Sequence, residues 1–365
     1  MTSHEQLMKQ CIKLARKGCG NVSPNPLVGC IIIKNGEIIG KGYHKKYGEA
    51  HAEVNAINDA MKNGYEVEGA DVYVNLEPCS HRGKTNPCSE LLIKKKVSKV
   101  IIGMKDPYEK VNGRGIKKLK ESGIEVVTGI LEEECKELNK FFIKFVNKQL
   151  PYVTLKIAQS IDGKLALNNY KSQWITGEAS RKYVHKMRSE YDAVMIGKNT
   201  AMTDNPSLTV RDIKGRNPFR IIIDKDNSLP DNLKLFTDKN KDRTFIVTDK
   251  LIEKGNTKKR NTIICKKNKN GLIDIKDLLK KLYKMNIASV MIEGGANIFS
   301  QFIEYNLFDD AYFFIAPKII GKGISAFCDY EINDLTKAGE LKIVYTKMYG
   351  NDMLIYSNNK SKNKL

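Results

Sequence analysis

Two short stretches hold residue types that could do chemistry together. HAEVNAI (51–57) places a histidine and a glutamate two positions apart, and EPCSHRGKTNPCSE (77–90) adds two cysteines, a histidine and two further glutamates. His51, Cys79 and Cys88 offer one neutral nitrogen and two thiolates. That set neutralises a zinc cation and leaves the fourth tetrahedral position to water, as catalytic zinc sites do. In mid-helix, residues two apart point about 200° from each other. At a first turn both reach past the helix end, so Glu53 can stand beside the metal without binding it. Zinc-bound water is acidified, and a carboxylate beside it can carry the proton to a leaving group. A closed structural site with His44 or His81 as fourth ligand is the competing reading, and it leaves Glu53 without a use.

An H-x-E pair followed by P-C-x-x-C marks the zinc nucleobase deaminases. Here Pro78-Cys79 is present, but Cys88 follows after eight intervening residues. The same chemistry predicts a pyrimidine contact. Asn25, in NVSPNPLVG (21–29), carries an amide suited to a Watson–Crick-like edge, although a plain turn before a strand reads equally well. His44 and His81 are read either as lining the same pocket or as surface histidines.

These residues need elements that hold them. The start, MTSHEQLMKQCIKLARKG, is amphipathic, lacks the apolar block of a secretory signal, and reads as a first helix. Residues 28–43 read as strand, Asn-Gly turn, strand; 51–64 as a helix closed by Gly64. Strands are expected over 70–78, 99–106 and 124–130, with helices over 88–97, entered through Pro87, and 115–123. This alternation predicts an α/β layered domain ending near residue 146, with NKQLP (147–151) as a short hinge. A second α/β domain follows, with strands in YVTLKIA, YDAVMIG, FRIIID, RTFIVTD, NTIICK, ASVMIEGG and DAYFFIAPKII. No G-x-G-x-x-G fingerprint occurs; instead Gly294-Gly295-Ala296-Asn297 follow a strand and open a helix, a suitable seat for a cofactor phosphate.

At 365 residues, two domains are the natural expectation. The net charge of +20 raises the question of nucleic acid. The first 150 residues carry 25 Lys and Arg against 18 Asp and Glu, the remainder 37 against 24, so the excess is spread over both halves. The runs Lys94-Lys95-Lys96 and Lys258-Lys259-Arg260 lack base-stacking aromatics and read as solvated surface. No run of about 18 apolar residues predicts a membrane span. The eight cysteines show no disulfide framework, and a cytoplasmic protein with reduced thiols is expected. A nucleic-acid-editing deaminase with a basic RNA-binding second domain is the alternative, and it calls for a localised basic stripe that the sequence lacks.

The chain resembles the bifunctional deaminase–reductase family of riboflavin biosynthesis. The matching elements are Ser23-Pro24-Asn25-Pro26 with Val28-Gly29, His51-Ala52-Glu53, and Glu77-Pro78-Cys79-Ser80-His81 leading to Thr85-Asn86-Pro87-Cys88. KIAQSIDGK, SQWITGEA, MRSEYDAVMIG, TDNPSLTVR and MIEGGA follow in one order over nearly the whole chain. The resemblance implies a cytidine-deaminase-like three-layer domain over 1–146 and a dihydrofolate-reductase-like domain over 150–365. The first would use zinc to deaminate a 2,5-diamino-6-ribosylamino-pyrimidinone 5′-phosphate; the second would use NADPH to reduce the ribosyl group to ribityl. It also implies small phosphorylated pyrimidine substrates and a homo-oligomer. On the substrate side it points to Ser172, Arg188, Leu208, Arg211 and Glu293, with the guanidinium forks of Arg188 and Arg211 suited to the phosphate. On the cofactor side it points to Ala158, Trp174, Thr200, Asp204 and the Gly295-Ala296-Asn297 turn, with core packing as the other reading of Trp174. Asn86, Tyr108-Glu109, Asn199 and Lys322 depart from the family's usual residues.

Overall fold

The structure, a computed structural model, describes residues 3–80, 86–109, 111–250 and 260–360. The chain forms two compact units, Met1–Gln149 and Leu150–Leu365.

Unit 1 opens with α1 (His4–Ala15), begun by a Ser3–Gln6 capping box. There follow β1 (Gly29–Lys34), β2 (Glu37–Tyr43), α2 (Ala52–Lys62), β3 (Asp71–Leu76), α3 (Cys88–Lys94), β4 (Lys99–Met104), α4 (Arg114–Glu121), β5 (Glu125–Thr128), α5 (Glu132–Leu138) and α6 (Lys140–Lys148). The sheet order is β2-β1-β3-β4-β5, antiparallel at β2-β1-β3 and parallel from β3 to β5. Successive strand residues face opposite layers. Ile32, Val72, Val74, Val100 and Ile102 pack with α2, α3 and α4, while Ile31, Tyr73 and Ile101 pack with α1 and Cys135 of α5. Sequence reasoning missed α5 and α6; α6 continues to Lys148, so the first two residues of the expected hinge are helix.

Unit 2 contains β6 (Tyr152–Ser160), β7 (Lys164–Leu167), α7 (Glu178–Glu190), β8 (Ala193–Gly197), α8 (Lys198–Asp204), β9 (Phe219–Ile223), α9 (Lys234–Thr237), β10 (Thr244–Thr248), β11 (Asn261–Ile264), α10 (Ile275–Lys284), β12 (Ser289–Gly294), α11 (Ala296–Glu304), β13 (Asp310–Ala316), β14 (Gly323–Ser325), β15 (Leu341–Tyr349) and β16 (Asp352–Asn359). Nine strands form one sheet, ordered β11-β10-β9-β8-β12-β6-β13-β16-β15. Its pairs are parallel from β11 to β13 and antiparallel at β13-β16-β15. The β15–β16 hairpin and the short β7–β14 pair were not foreseen from the sequence.

Candidate active sites

In unit 1 the chemistry gathers beyond the carboxyl end of β3. His51 is the extended cap residue of α2, Cys79 lies in the turn after β3, and Cys88 is the first residue of α3 behind Pro87. Helix α2 sits almost in contact with the hairpin: a Cβ on Gly42 would meet Ala52 O and Ala56 N at 2.3 Å. Asn55 Nδ2 donates to Tyr43 O (2.9 Å) and Ala50 O (3.2 Å), fixing the start of the helix.

His51 Nδ1 lies 3.3 Å from Cys88 Sγ and 3.6 Å from Cys79 Sγ, and the three ligand atoms fall within 4.8 Å of one another. Zinc bonded to nitrogen at about 2.0–2.1 Å and sulfur at about 2.3 Å needs N···S edges of about 3.6 Å, so this donor set fits zinc. The Cys88 thiol and amide both donate toward Cys79 Sγ, and with His51 they hold the Cys79 thiol well below its usual range against burial. Glu53 is buried, and burial, followed by the Cys79 charge, pushes its carboxyl up. Its Oε2 has no hydrogen-bond partner among the described residues. A buried carboxyl with a raised pKa beside a zinc donor set suits a proton carrier.

His44 is buried but stands outside the metal group. Its Nδ1 is 3.1 Å from Ala50 O and its Nε2 is 3.4 Å from Asn25 Nδ2, so the imidazole orients the Asn25 amide. Burial lowers its pKa, which keeps it neutral for that task. Those contacts commit both nitrogens of His44 away from the fourth-ligand role. His81 and Thr85 lie outside the described residues.

Glu77 gains its role from the fold. It is buried at the end of β3, and its carboxylate accepts from four amides: Asp106 N (3.2 Å), Gly113 N (2.9 Å), Gly115 N (2.9 Å) and Ile116 N (3.1 Å). It ties the segment before α4 to the Cys79 turn. Burial, with Glu77 and Cys79 adding, pushes Asp106 up to about 7.

Unit 2 carries a cavity of about 1290 Å³ at the carboxyl ends of its parallel strands, where open α/β sheets bind ligands. A single small-ligand pocket usually measures about 300–1,000 Å³, so there is room for a cofactor together with a substrate. Its lining includes every residue that the resemblance assigned here: Ala158, Ser172, Trp174, Arg188, Thr200, Asp204, Leu208, Arg211, Glu293, Gly295, Ala296 and Asn297. Gly295, at φ 98°, makes the turn that lets β12 pass into α11. Trp174 is 59% exposed, which excludes core packing, and the Arg181 guanidinium lies 4.7 Å from its ring centroid. Ser172 Oγ donates to Asp204 Oδ1 at 3.1 Å.

The two arginines differ. Arg188 donates to Glu293 from Nε (2.6 Å) and Nη2 (2.8 Å), and to Thr209 O from Nη1 (3.1 Å). Much of its fork is therefore occupied, and Glu293 is likewise engaged. Arg211 is exposed, and its guanidinium makes no ion pair or hydrogen bond among the described residues. Sequence reasoning missed Lys156, a lysine in the middle of β6 whose Nζ lies 3.4 Å from Glu293 Oε2. Burial alone would raise the Glu293 carboxyl, but Arg188 and Lys156 outweigh it and hold it at about 2.

Comparison with known proteins places both halves. Residues 1–104 match the cytidine and deoxycytidylate deaminase zinc-binding region, and residues 151–355 match the RibD C-terminal domain. The chain is 40% identical over 354 residues to riboflavin biosynthesis protein RibD of Actinobacillus pleuropneumoniae, covering 95% of this chain and 93% of that one. It is 42% identical over 323 residues to RibD of Bacillus amyloliquefaciens, covering 87% and 85%. A crystal structure of a diaminohydroxyphosphoribosylaminopyrimidine deaminase/5-amino-6-(5-phosphoribosylamino)uracil reductase from Thermotoga maritima is similar with a TM-score of 0.90, at 38% identity and 98% coverage of both chains. The RibD of Acinetobacter baumannii gives 0.88 at 33% identity, covering 97% of this chain and 98% of that one.

Proposed function

This chain belongs to the RibD family of bifunctional riboflavin-biosynthesis enzymes, a zinc-dependent deaminase joined to an NADPH-dependent reductase, and on that premise we propose how its own residues divide the work. Unit 1 deaminates the diaminopyrimidine. His51, Cys79 and Cys88 hold zinc, which when bound makes water acidic enough to serve as nucleophile at neutral pH. The Glu53 carboxylate takes the water proton and passes it to the departing amino group, which leaves as ammonia. Asn25, oriented by His44, presents its amide to the pyrimidine edge. Glu77 holds Asp106, Gly113, Gly115 and Ile116 in place through its four amide contacts.

Unit 2 reduces the ribosyl group. NADPH, when bound, supplies the hydride. Gly295, Ala296 and Asn297 at the start of α11 receive a cofactor phosphate, while Ala158, Trp174, Thr200 and Asp204 line its path. Lys156 Nζ and the Glu293 carboxylate bond the ribosyl oxygens, and burial makes Lys156 a readier proton donor by lowering its pKa. Arg211 takes the substrate phosphate, with Ser172, Arg188 and Leu208 shaping the pocket around it.

The same proposal places the enzyme in the cytoplasm, as a homo-oligomer. The lack of any disulfide among the described residues favours the compartment, and the exposed apolar side chains of edge strand β15 (Ile343, Val344 and Met348) favour the assembly. No helix of the described residues is long and apolar enough to cross a membrane.

The observation that carries the deaminase reading is the unpartnered Glu53 Oε2 beside a donor set of zinc dimensions. Glu53→Gln is expected to lower deamination by a factor of about 10²–10⁴ with one zinc per chain retained and NADPH-dependent reduction intact. Metal analysis and the two assays check this; zinc lost from the Gln variant would make Glu53 a ligand or a prop.

A further inference from the structure

On α7, His185 lies one turn before Arg188, so both side chains leave one face of the helix. Both reach the backbone of residues 208–212. Arg188 Nη1 donates to Thr209 O at 3.1 Å; His185 Nδ1 stands 3.1 Å from that same oxygen and 3.3 Å from the Arg211 amide nitrogen. Leu208 and Asp212 bracket the segment with left-handed backbones, φ 52° and 63°, a conformation non-glycine residues keep only where their surroundings enforce it. Two further contacts brace it: Asn217 Oδ1 accepts from Val210 N (2.7 Å), and Arg220 Nη1 donates to Ser207 O (3.0 Å).

The segment's product is the placement of Arg211 in the cavity wall. The imidazole is itself buried and in that wall. Burial first, then Arg188 and Arg211, lower its pKa against the pull of Asp212, whose Oδ2 is 3.9 Å from Nε2. A neutral ring uses Nδ1 either to donate to Thr209 O or to accept from the Arg211 amide, and both bonds restrain the same short stretch of chain.

We propose that His185 is a positioning residue for the reductase: by holding the backbone from Thr209 to Arg211, it aims the Arg211 guanidinium at the substrate phosphate. The inference rests on the reading of Arg211 as the phosphate contact.

The test is reductase kinetics on the full chain at saturating NADPH, for the wild type, His185→Leu, Arg211→Ala and the double variant. Each is assayed with the phosphorylated deaminated substrate and with its dephosphorylated form. Leucine keeps the buried volume without either hydrogen bond; His185→Ala replaces it should that chain fail to fold. His185→Leu should raise KM for the phosphorylated substrate by about tenfold with kcat nearly unchanged, and add nothing once Arg211 is gone. KM for the dephosphorylated substrate should not respond to either change. His185→Gln should restore the wild-type KM, because one amide can donate to Thr209 O and accept from the Arg211 N–H at once. Additive losses in the double variant, or equal losses on the dephosphorylated substrate, overturn the role of His185 and leave Arg211 standing. An Arg211→Ala chain with unchanged KM for the phosphorylated substrate overturns the Arg211 reading, and this inference with it.

Discussion

Glu53 and Glu293 are both buried glutamates, yet their neighbours send them in opposite directions. Burial and the Cys79 charge raise Glu53 toward the range in which a carboxyl can exchange protons; Arg188 and Lys156 overcome burial at Glu293 and fix it as an anion. Removing that anion strands two buried cations. Glu293→Gln should therefore cost unit 2 about 3–5 kcal/mol, read from urea unfolding, and abolish reduction. The pH dependence follows from the sign of the shift. The folded carboxyl sits at about 2 against an ordinary 4.5, so its stabilisation is complete above about pH 4.5 and is lost as pH falls toward 2. The wild type should lose unfolding midpoint across that window more steeply than Glu293→Gln; equal slopes would show that the pair is not what titrates. At this scale the candidate zinc set and Glu53 were legible in the sequence, because four residues in two short stretches suffice to suggest that chemistry. It did not show Lys156. A lysine in a strand reads as solvent-facing until its partner is known, and Glu293 lies on β12, far along the chain.

Elements matter here through how closely they approach one another. Helix α2 presents both His51 and Glu53, and its seat on β2 exists because Gly42 has no side chain. Gly42→Ala should push the helix away, costing about 1–3 kcal/mol and speeding zinc loss to a chelator. A shift in melting temperature without faster zinc release would show that the metal set does not depend on this seat. The parallel strands were readable because they are short apolar runs set between helical segments, as in DAVMIG and SVMIE. The β15–β16 hairpin was not, because β15 is exposed along almost its whole length and carries no buried stripe for a period-two pattern to reveal. Helices α5 and α6 escaped for a related reason: one is mostly charged, and the other buries no residue completely. The role of Glu77 needed the fold, since its four amide donors come from the segment before α4 and that helix's first turn.

Across the whole molecule, two catalytic outfits share one chain, and the +20 charge is spread over both halves. That distribution suits attraction of phosphorylated small molecules more than a nucleic-acid track. The eight-residue gap between Cys79 and Cys88 is odd for a generic deaminase, and the chain belongs to a family that joins a deaminase to a reductase, which accounts for its length. The proposed zinc donors are the one such group among the described residues and lie in unit 1, so stripping the metal with a chelator should stop ammonia release while the deaminated intermediate, supplied from outside, is still reduced with NADPH. The most direct test of the central claim is a time course of the purified protein with the phosphorylated diaminopyrimidine. Without NADPH, ammonia should accumulate and the reaction stop at the deaminated ribosyl compound; adding NADPH should then oxidise one equivalent for each ammonia already released. Ammonia release with no NADPH oxidation under any condition, or NADPH oxidation that runs ahead of ammonia, would contradict two sites acting in that order.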